Sequence, residues 1–205
     1  MDDKKLEKWG ALTGAGFVIL SVIGAFVAGS PPKVSDSNAK IIKFAVDNQD
    51  ALRIGSYLAG IGIVLFLVFL GVIWTRLNRA EGAPGRLAGT SAMAGVAVAA
   101  IAAVGFGINA YGALHPGETP TTYRLGTIVF GVLSFAAIVF VEAASIVIIR
   151  TKFLPAWLGW LGILSALLWL VAGAAVSTED DTIFVVGFVA FLVWAIQTLL
   201  QLRQL

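Results

Sequence analysis

The sequence predicts an all-α, polytopic membrane protein, and three observations support this class. Hydrophobic residues make up 59% of the 205 residues and charged residues only 13%, and the mean hydropathy is +0.92. A soluble globule of this size needs more polar surface than this composition provides. The apolar residues also form six long runs, each with room for the ~20 helical residues that span a hydrocarbon core of ~30 Å.

The six runs are expected to form transmembrane helices arranged as three successive hairpins within one membrane domain, residues 1–205. A weak repeat supports the hairpins, because the second and fourth runs open alike. The general preference of membrane helices for Leu and Gly is an alternative explanation of the repeat. The expected boundaries are about 9–29, 54–74, 87–111, 125–149, 156–175 and 183–202.

The first run, 9–29, follows a short basic segment. This pattern is also typical of a secretion signal, with Ser30 near the cleavage point. The run is longer than a usual signal core, so we expect it to be retained as the first helix. Gly10 and Gly14 in this run have the spacing that lets helix backbones approach each other closely in lipid.

The longest connection between runs is expected to contain a short amphipathic helix at about 36–52. Ser30-Pro31-Pro32 ends the preceding helix, and Ser35 to Asn38 supply residues that favour a helix start. One face of the new helix is apolar and the other is charged. It is therefore expected to lie at the outer membrane surface or to act as a lid over the bundle. A loop that simply covers the helix ends is the alternative.

The third run, 87–111, is unusually rich in small residues, which make a helix thin on every side. We expect this helix at the centre of the bundle. A lipid-filled groove beside it, or a contact between copies of the chain, is the alternative interpretation. The small residues are Gly89, Ser91, Ala92, Ala94, Gly95, Ala97, Ala99, Ala100, Ala102 and Ala103.

The distribution of Lys and Arg predicts that both termini face the cytoplasm, because short cytoplasmic segments retain positive charge during insertion. Nine basic residues would lie inside and five outside. The inner set is Lys4, Lys5, Lys8, Arg76, Arg79, Arg86, Arg150, Lys152 and Arg203, and the outer set is Lys33, Lys40, Lys43, Arg53 and Arg124. Four tryptophans would mark the inner interface, namely Trp9, Trp74, Trp157 and Trp160.

The chain has no cysteine and one histidine, His115. Without cysteine there are no disulfides, thiolate metal ligands or cysteine nucleophiles. A single histidine makes a bis-histidine haem, the usual zinc sites and most serine-histidine hydrolase sites hard to assemble. We expect no catalytic residues, metal, cofactor or nucleic-acid partner. The expected partners are the lipid bilayer and either another membrane protein or a second copy of the chain.

Glu142 is the main candidate for a functional residue. It lies eight residues before Arg150, which places it about 12 Å along the helix from the charged boundary and inside hydrocarbon depth. A carboxylate at this depth is costly, so we expect it to face the bundle interior and either find hydrogen-bond donors or take up a proton. One stripe of its helix, with residues three or four positions apart, supports this placement because its members are small or polar. They are Thr127, Gly131, Ser134, Glu142 and Ser145, and the bulky Ile138 interrupts the stripe between Ser134 and Glu142.

Polar side chains of other runs are expected at a similar depth, where they would complete a candidate intramembrane polar site. Such a layer could bind a proton or a cation. It could instead clamp the helices by hydrogen bonds worth ~1 kcal/mol each, which needs no ligand and is the interpretation we favour. The candidate site consists of Glu142, Ser145, Thr13, Ser91, Ser165 and Gln197.

Several short motifs resemble a family of uncharacterised bacterial multi-pass membrane proteins. They are Ser30-Pro31-Pro32, Gly55-Ser56-Tyr57-Leu58, Phe66-Leu67-Val68-Phe69-Leu70-Gly71, Arg76-Leu77, Arg79-Ala80-Glu81-Gly82 and Leu154-Pro155-Ala156-Trp157-Leu158-Gly159-Trp160-Leu161-Gly162. The resemblance implies a six-helix protein of the bacterial inner (plasma) membrane. It assigns no catalytic residues and no activity to the chain.

The first expectation for function is a non-enzymatic helical bundle that scaffolds or modulates a membrane partner, or that self-assembles. This accounts for the lack of a catalytic set and for the small-residue surfaces. The alternative is a small transporter or channel that uses Glu142 as a proton or cation site. A membrane enzyme acting on lipid ranks third, because no nucleophile and base are recognisable by spacing.

Overall fold

The computed structural model describes residues 3–27, 29–174 and 181–202. Throughout these ranges, the regular secondary structure is helical, which confirms the all-α class. The α-helices are α1 (Asp3–Phe26), α2 (Asn38–Asp47), α3 (Gln49–Glu81), α4 (Arg86–Leu114), α5 (Thr119–Thr151), α6 (Ala156–Ala174) and α7 (Asp181–Leu202), with a 3-10 turn at Pro116–Glu118.

Among the described residues, three helices are long and apolar enough to cross a membrane. They are α3, α4 and α5 together with its preceding turn. The remaining long helices, α1, α6 and α7, carry shorter apolar stretches in the described ranges, at Leu12–Gly24, Ala156–Val171 and Val186–Gln201. Each of these six long helices overlaps one of the predicted runs, and α3, α4 and α5 extend beyond theirs at both ends.

The long helices form a closed ring in which chain neighbours are also neighbours in space. The packed pairs are α1 with α3, α3 with α4, α4 with α5, α5 with α6, and α6 with α7, and α7 returns to α1. α2 lies across one end, where it contacts α3, α4 and α5. We call this the α2 end; the other, the turn end, holds the connections 82–85 and 152–155.

Of the three longest helices, α3, α4 and α5, the most enclosed is α5 and the least enclosed is α4. In its most apolar stretch 56% of the residues of α5 are buried, against 22% for α4. The expectation that the small-residue helix lies at the centre is therefore wrong. Its small residues serve close packing on one side, where Gly95 meets Leu70 of α3 and Gly105 meets Phe130 of α5. The other side leaves large side chains such as Met93 exposed.

The predicted amphipathic helix at about 36–52 is divided into α2 and the first turn of α3. Asn48 causes the division, because its backbone leaves the helical region and its side-chain amide donates to the carbonyl oxygen of Phe44 over 2.9 Å. The Ser37 side chain accepts from the backbone N–H of Lys40 and caps α2, as the sequence predicted. Ile41 and Ala45 are buried against the bundle.

Three hydrogen bonds hold the α2 end together. The Tyr123 hydroxyl of α5 donates to the carbonyl oxygen of Pro32 over 2.6 Å. The Arg124 guanidinium, also of α5, donates to the side chain of Asn38 over 2.9 Å. Gln49 at the start of α3 donates to the carbonyl oxygen of Ala113 near the end of α4. The connection between α1 and α3 is thereby fixed to the fourth and fifth helices.

The turn between α3 and α4 is closed by a carboxylate. The two oxygens of Glu81 accept from the backbone N–H groups of Leu87 and Ala88 at 3.0 and 2.7 Å. These N–H groups belong to the first turn of α4 and have no partner within the helix. Gly82 and Gly85 have φ angles of 75° and 62°, which an L side chain rarely adopts, and let the chain reverse within four residues.

Candidate functional site

Glu142 lies on the outer surface of α5 and is exposed. The expectation that it faces the bundle interior is therefore wrong. Among the residues that the structure describes, none donates a hydrogen bond to it, so it does not clamp the helices of its own chain. The exposed residues of the same face are large and apolar; they are Leu125, Ile128, Val132, Phe135 and Val139.

The rotation of α5 explains why the sequence stripe was misleading. Ser134 and Ser145 are eleven residues apart and about 20° apart around the helix, and both are fully buried. Glu142 lies about 60° away from Ser145, at the edge of the stripe, and only about 20° from Phe135. Phe135 is 54% exposed. The neighbouring helices cover the serine face and leave the glutamate face open.

The depth of Glu142 is fixed by a contact between α4 and α5. The Ser91 hydroxyl of α4 donates to the carbonyl oxygen of Phe140 over 3.0 Å. Ser91 lies five residues after Arg86, and Glu142 lies eight residues before Arg150. Both counts place the Ser91 contact and Glu142 about one and a half to two helical turns from the basic residues of the turn end. Glu142 thus belongs to the apolar part of α5.

Ser145 is the member of the candidate site with the most unusual surroundings. It is fully buried, and its hydroxyl has no hydrogen-bond partner within the described ranges. The hydroxyl lies against Gly162 of α6, and a Cβ on that glycine would also come within 2.7 Å of the Trp194 indole nitrogen of α7. That nitrogen is buried and unpartnered in the same part of the chain.

The other members of the candidate site do not gather around Glu142. Thr13 donates to the carbonyl oxygen of Gly10 in its own helix over 2.8 Å, and Ser91 donates across to Phe140. Ser165 is fully buried with an unpartnered hydroxyl. Gln197 is partly buried on α7. The structure thus gives separate polar contacts in place of one layer.

The centre of the ring is filled by aromatic side chains. Phe140 of α5 packs edge-on against Phe66 of α3 and Trp194 of α7, with ring centroids 5.8 and 5.9 Å apart. Phe191 of α7 stacks on Trp194 at 6.1 Å. All four rings are at most 6% exposed. Such a centre is a packed core and offers Glu142 no polar route through the bundle.

Sequence reasoning missed two features. One is the line of exposed residues on α5 from Leu125 to Glu142, which we call the seam, and the other is the contact around Gly162. The seam was visible in principle, because Leu125, Ile128, Val132, Phe135, Val139 and Glu142 follow three- and four-residue steps. This is the spacing by which one helix packs along another in a coiled coil. The Gly162 contact has no comparable signal, since it joins single residues of three different helices, α5, α6 and α7.

Comparison with known protein families, curated proteins and solved structures finds no significant match. The fold and the site define the class of the protein as a bundle of apolar helices. Within the described ranges, one acid, Glu142, lies in the apolar part of a long helix, and it faces outwards. Function is therefore inferred from this geometry.

Proposed function

We propose that the protein is a six-span, non-enzymatic bundle of the bacterial inner membrane, with both termini in the cytoplasm, and that it scaffolds or modulates a membrane-protein partner. The apolar helices support the membrane assignment. The count of Lys and Arg supports the orientation, because eight of the described basic residues lie at the turn end and five at the α2 end. The exposed indoles of Trp74, Trp157 and Trp160 support the turn end as a membrane interface. Such aromatic side chains are enriched at membrane interfaces.

The exposed Glu142 is the observation on which the partner rests. A charged side chain that faces lipid at the bilayer centre costs ~2.5–3.5 kcal/mol on insertion scales, and Glu142, which lies between the centre and the turn end, bears part of this cost. The cost is reduced when a neighbouring helix supplies a hydrogen-bond donor. The apolar seam from Leu125 to Val139 provides the surface along which such a helix packs.

The charge of the seam indicates the chemistry of the partner. A carboxylate is best complemented by a basic or amide side chain on the facing helix, placed at the depth of Glu142. A second copy of this chain would bring two glutamates together, which have to share a proton to form a hydrogen bond. We therefore propose a different membrane protein as the partner and treat self-assembly as a separate outcome.

Site-specific photocrosslinking in the native membrane tests this proposal. A photoreactive residue at Val139, on the seam, is expected to give an adduct with one membrane protein, identified by mass spectrometry. Glu142→Leu is expected to lower its yield about fivefold, as the loss of ~1 kcal/mol of binding implies. A photoreactive residue at Leu167, which is exposed on α6, is the matched control and is expected to give no such adduct.

The possible outcomes separate the proposals. A Glu142-dependent adduct with another protein supports the scaffold. An adduct of twice the chain mass would indicate that the seam binds a second copy of this chain and not a different membrane protein. Equal labelling of lipid from Val139 and Leu167, with no effect of Glu142→Leu, overturns the proposal. The alternative is a transporter that uses Glu142. It gains no support, because the carboxylate lies on the outside of the bundle and the interior is a packed aromatic core.

A further inference from the structure

A groove of about 510 Å³ runs between α3 and α4 at the α2 end. Its volume lies within the range of small-molecule sites in proteins. Its walls include Tyr57 and Gly60 of α3 and Ala103, Gly107 and Ala110 of α4. This is the alternative that the small residues of the third run suggested, namely a groove beside a thin helix.

The groove reaches down to the helix backbones. A Cβ added at Gly60 or at Gly107 would meet no atom within 4 Å. On α3 the lining extends from Arg53 to Ile63, which is a length of about 15 Å along the helix. This length corresponds to half of a ~30 Å hydrocarbon core, and so to one leaflet of the bilayer.

Arg53 gives the groove its charge. The nearest acid is Asp50, whose carboxylate lies 3.9 Å away and is 93% exposed. Other cations of the α2 end have closer partners at 2.6–2.9 Å, namely Lys40, Lys43 and Arg124. Arg53 and Tyr57 also line a second hollow that adjoins the groove. A guanidinium so loosely paired can donate to an anion at the mouth of the groove.

We propose that this groove binds a phospholipid of the leaflet at the α2 end, with one acyl chain between α3 and α4 and its phosphate at Arg53. The apolar walls fit the chain, and the guanidinium complements the phosphate. The proposal rests on the membrane placement proposed above but not on the seam of α5, because a different pair of helices forms the groove.

Native mass spectrometry of the purified protein tests the proposal, with phosphatidylglycerol and phosphatidylcholine as probes. The wild-type chain is expected to retain one phosphatidylglycerol. Gly60→Leu and Gly107→Leu place a side chain in the groove at positions where a Cβ meets no neighbour, and are expected to lower this retention about tenfold. Gly71→Leu is the matched control, because Gly71 also lies on α3 in open space but outside the groove.

The charge is tested separately. Arg53→Gln is expected to lower the retention of phosphatidylglycerol about tenfold and to remove its preference over phosphatidylcholine, whereas Arg53→Lys is expected to restore part of it. Inorganic phosphate at millimolar concentration is expected not to displace the lipid. Displacement by phosphate would overturn the lipid assignment and leave an ion site.

Two further outcomes decide the proposal. Equal retention in Gly107→Leu and Gly71→Leu would overturn it. If the leucine variants fail to fold, a photoreactive phosphatidylglycerol added to the wild-type chain must label residues 53–63 and 103–114, and labelling spread evenly over all helices overturns the proposal. Glu142→Leu is expected to leave lipid retention unchanged, so the failure of one proposal does not imply the failure of the other.

Discussion

The Ser145 hydroxyl of α5 and the Trp194 indole N–H of α7 meet at one residue of the helix between them, Gly162 of α6. Both polar atoms are buried and unpartnered in the part of the chain that the structure describes. Three helices are thus held at a distance that only a residue without a Cβ permits. The contact makes the packing of α5, α6 and α7 sensitive to a single methyl group.

Gly162→Ala is therefore expected to destabilise the bundle by ~1–3 kcal/mol, because the new methyl group displaces the hydroxyl or the indole. Reversible unfolding of the purified protein in a mixed detergent series measures the change. Adding Ser145→Ala, which removes the nearest atom, is expected to restore part of the stability. Gly71→Ala has open space around it and serves as the control; an equal loss in both glycine variants would contradict the contact.

Ser91→Ala is expected to cost ~0.6 kcal/mol, the average value of a hydrogen bond between membrane helices. The bond is to the carbonyl oxygen of Phe140 in the neighbouring helix. Thr90→Ala is the matched control, because the Thr90 hydroxyl bonds to Arg86 within its own helix. A larger loss for Thr90→Ala than for Ser91→Ala in the same unfolding assay would show that the interhelical bond is unimportant.

Glu81→Ala is expected to lower the stability by ~1 kcal/mol, because the first turn of α4 loses its acceptors and a favourable negative charge. Hydrogen exchange at the backbone of Leu87 and Ala88 is expected to rise first. Glu118→Ala, at the start of α5, is the control, since that side chain makes no capping hydrogen bond. Unchanged exchange in Glu81→Ala would rule out the capping role.

Asp36 should make the α2 end sensitive to acid. The hydrogen bond from the Lys40 side chain, followed by that from the backbone N–H of Lys33, holds the pKa of its carboxyl below the ordinary value. The stabilisation is therefore complete above the pKa of the unfolded chain and is lost as the pH falls through the lower pKa of the folded chain.

A pH titration of the Asp36 carboxyl by NMR measures this effect. The wild-type pKa is expected to lie below that of Lys40→Gln, in which the strongest hydrogen bond is missing. Hydrogen exchange of α2 is expected to increase over the same range of acid pH. Identical titration curves for the two proteins would exclude the Lys40 contact in solution.

Glu142→Leu distinguishes an outward glutamate from an inward one. Because the carboxylate makes no hydrogen bond to the described residues, the isolated bundle is expected to be as stable as the wild type or slightly more stable. A hydrogen-bonded interior glutamate would instead give a loss of ~1 kcal/mol or more. The same unfolding assay measures the difference, and a clear loss of stability would place the side chain in the interior.

The sequence was sufficient for the helices but not for their rotation. Hydropathy reports where the chain is apolar, and α3, α4 and α5 each contain a predicted run. It does not report which face a neighbouring helix covers. Ser145 and Glu142 are three residues apart on α5, yet one is fully buried and the other exposed. Only the positions of α4 and α6 decide between them.

The sequence predicted local structure correctly where a single residue determines it. Ser37 was expected near the start of the amphipathic helix and caps α2. The division at Asn48 was not foreseen. Its side-chain amide bonds back to the carbonyl oxygen of Phe44, and such a local hydrogen bond competes with the helix. The enclosure of α5 likewise depends on contacts with α3, α4 and α6 that no stretch of its own sequence records.

The enclosed position of α5 bears on how the chain is made. The ribosome releases the residues of α1 to α4 before those of α5. In the membrane placement proposed above, the surfaces of α3 and α4 that α5 covers therefore face lipid or an insertion factor until residue 151 has emerged. The first four helices are therefore incompletely packed until α5 has been made, and the ring closes only when α7 reaches α1. A chain truncated ahead of Thr119 would leave these four helices permanently unfinished in the bilayer.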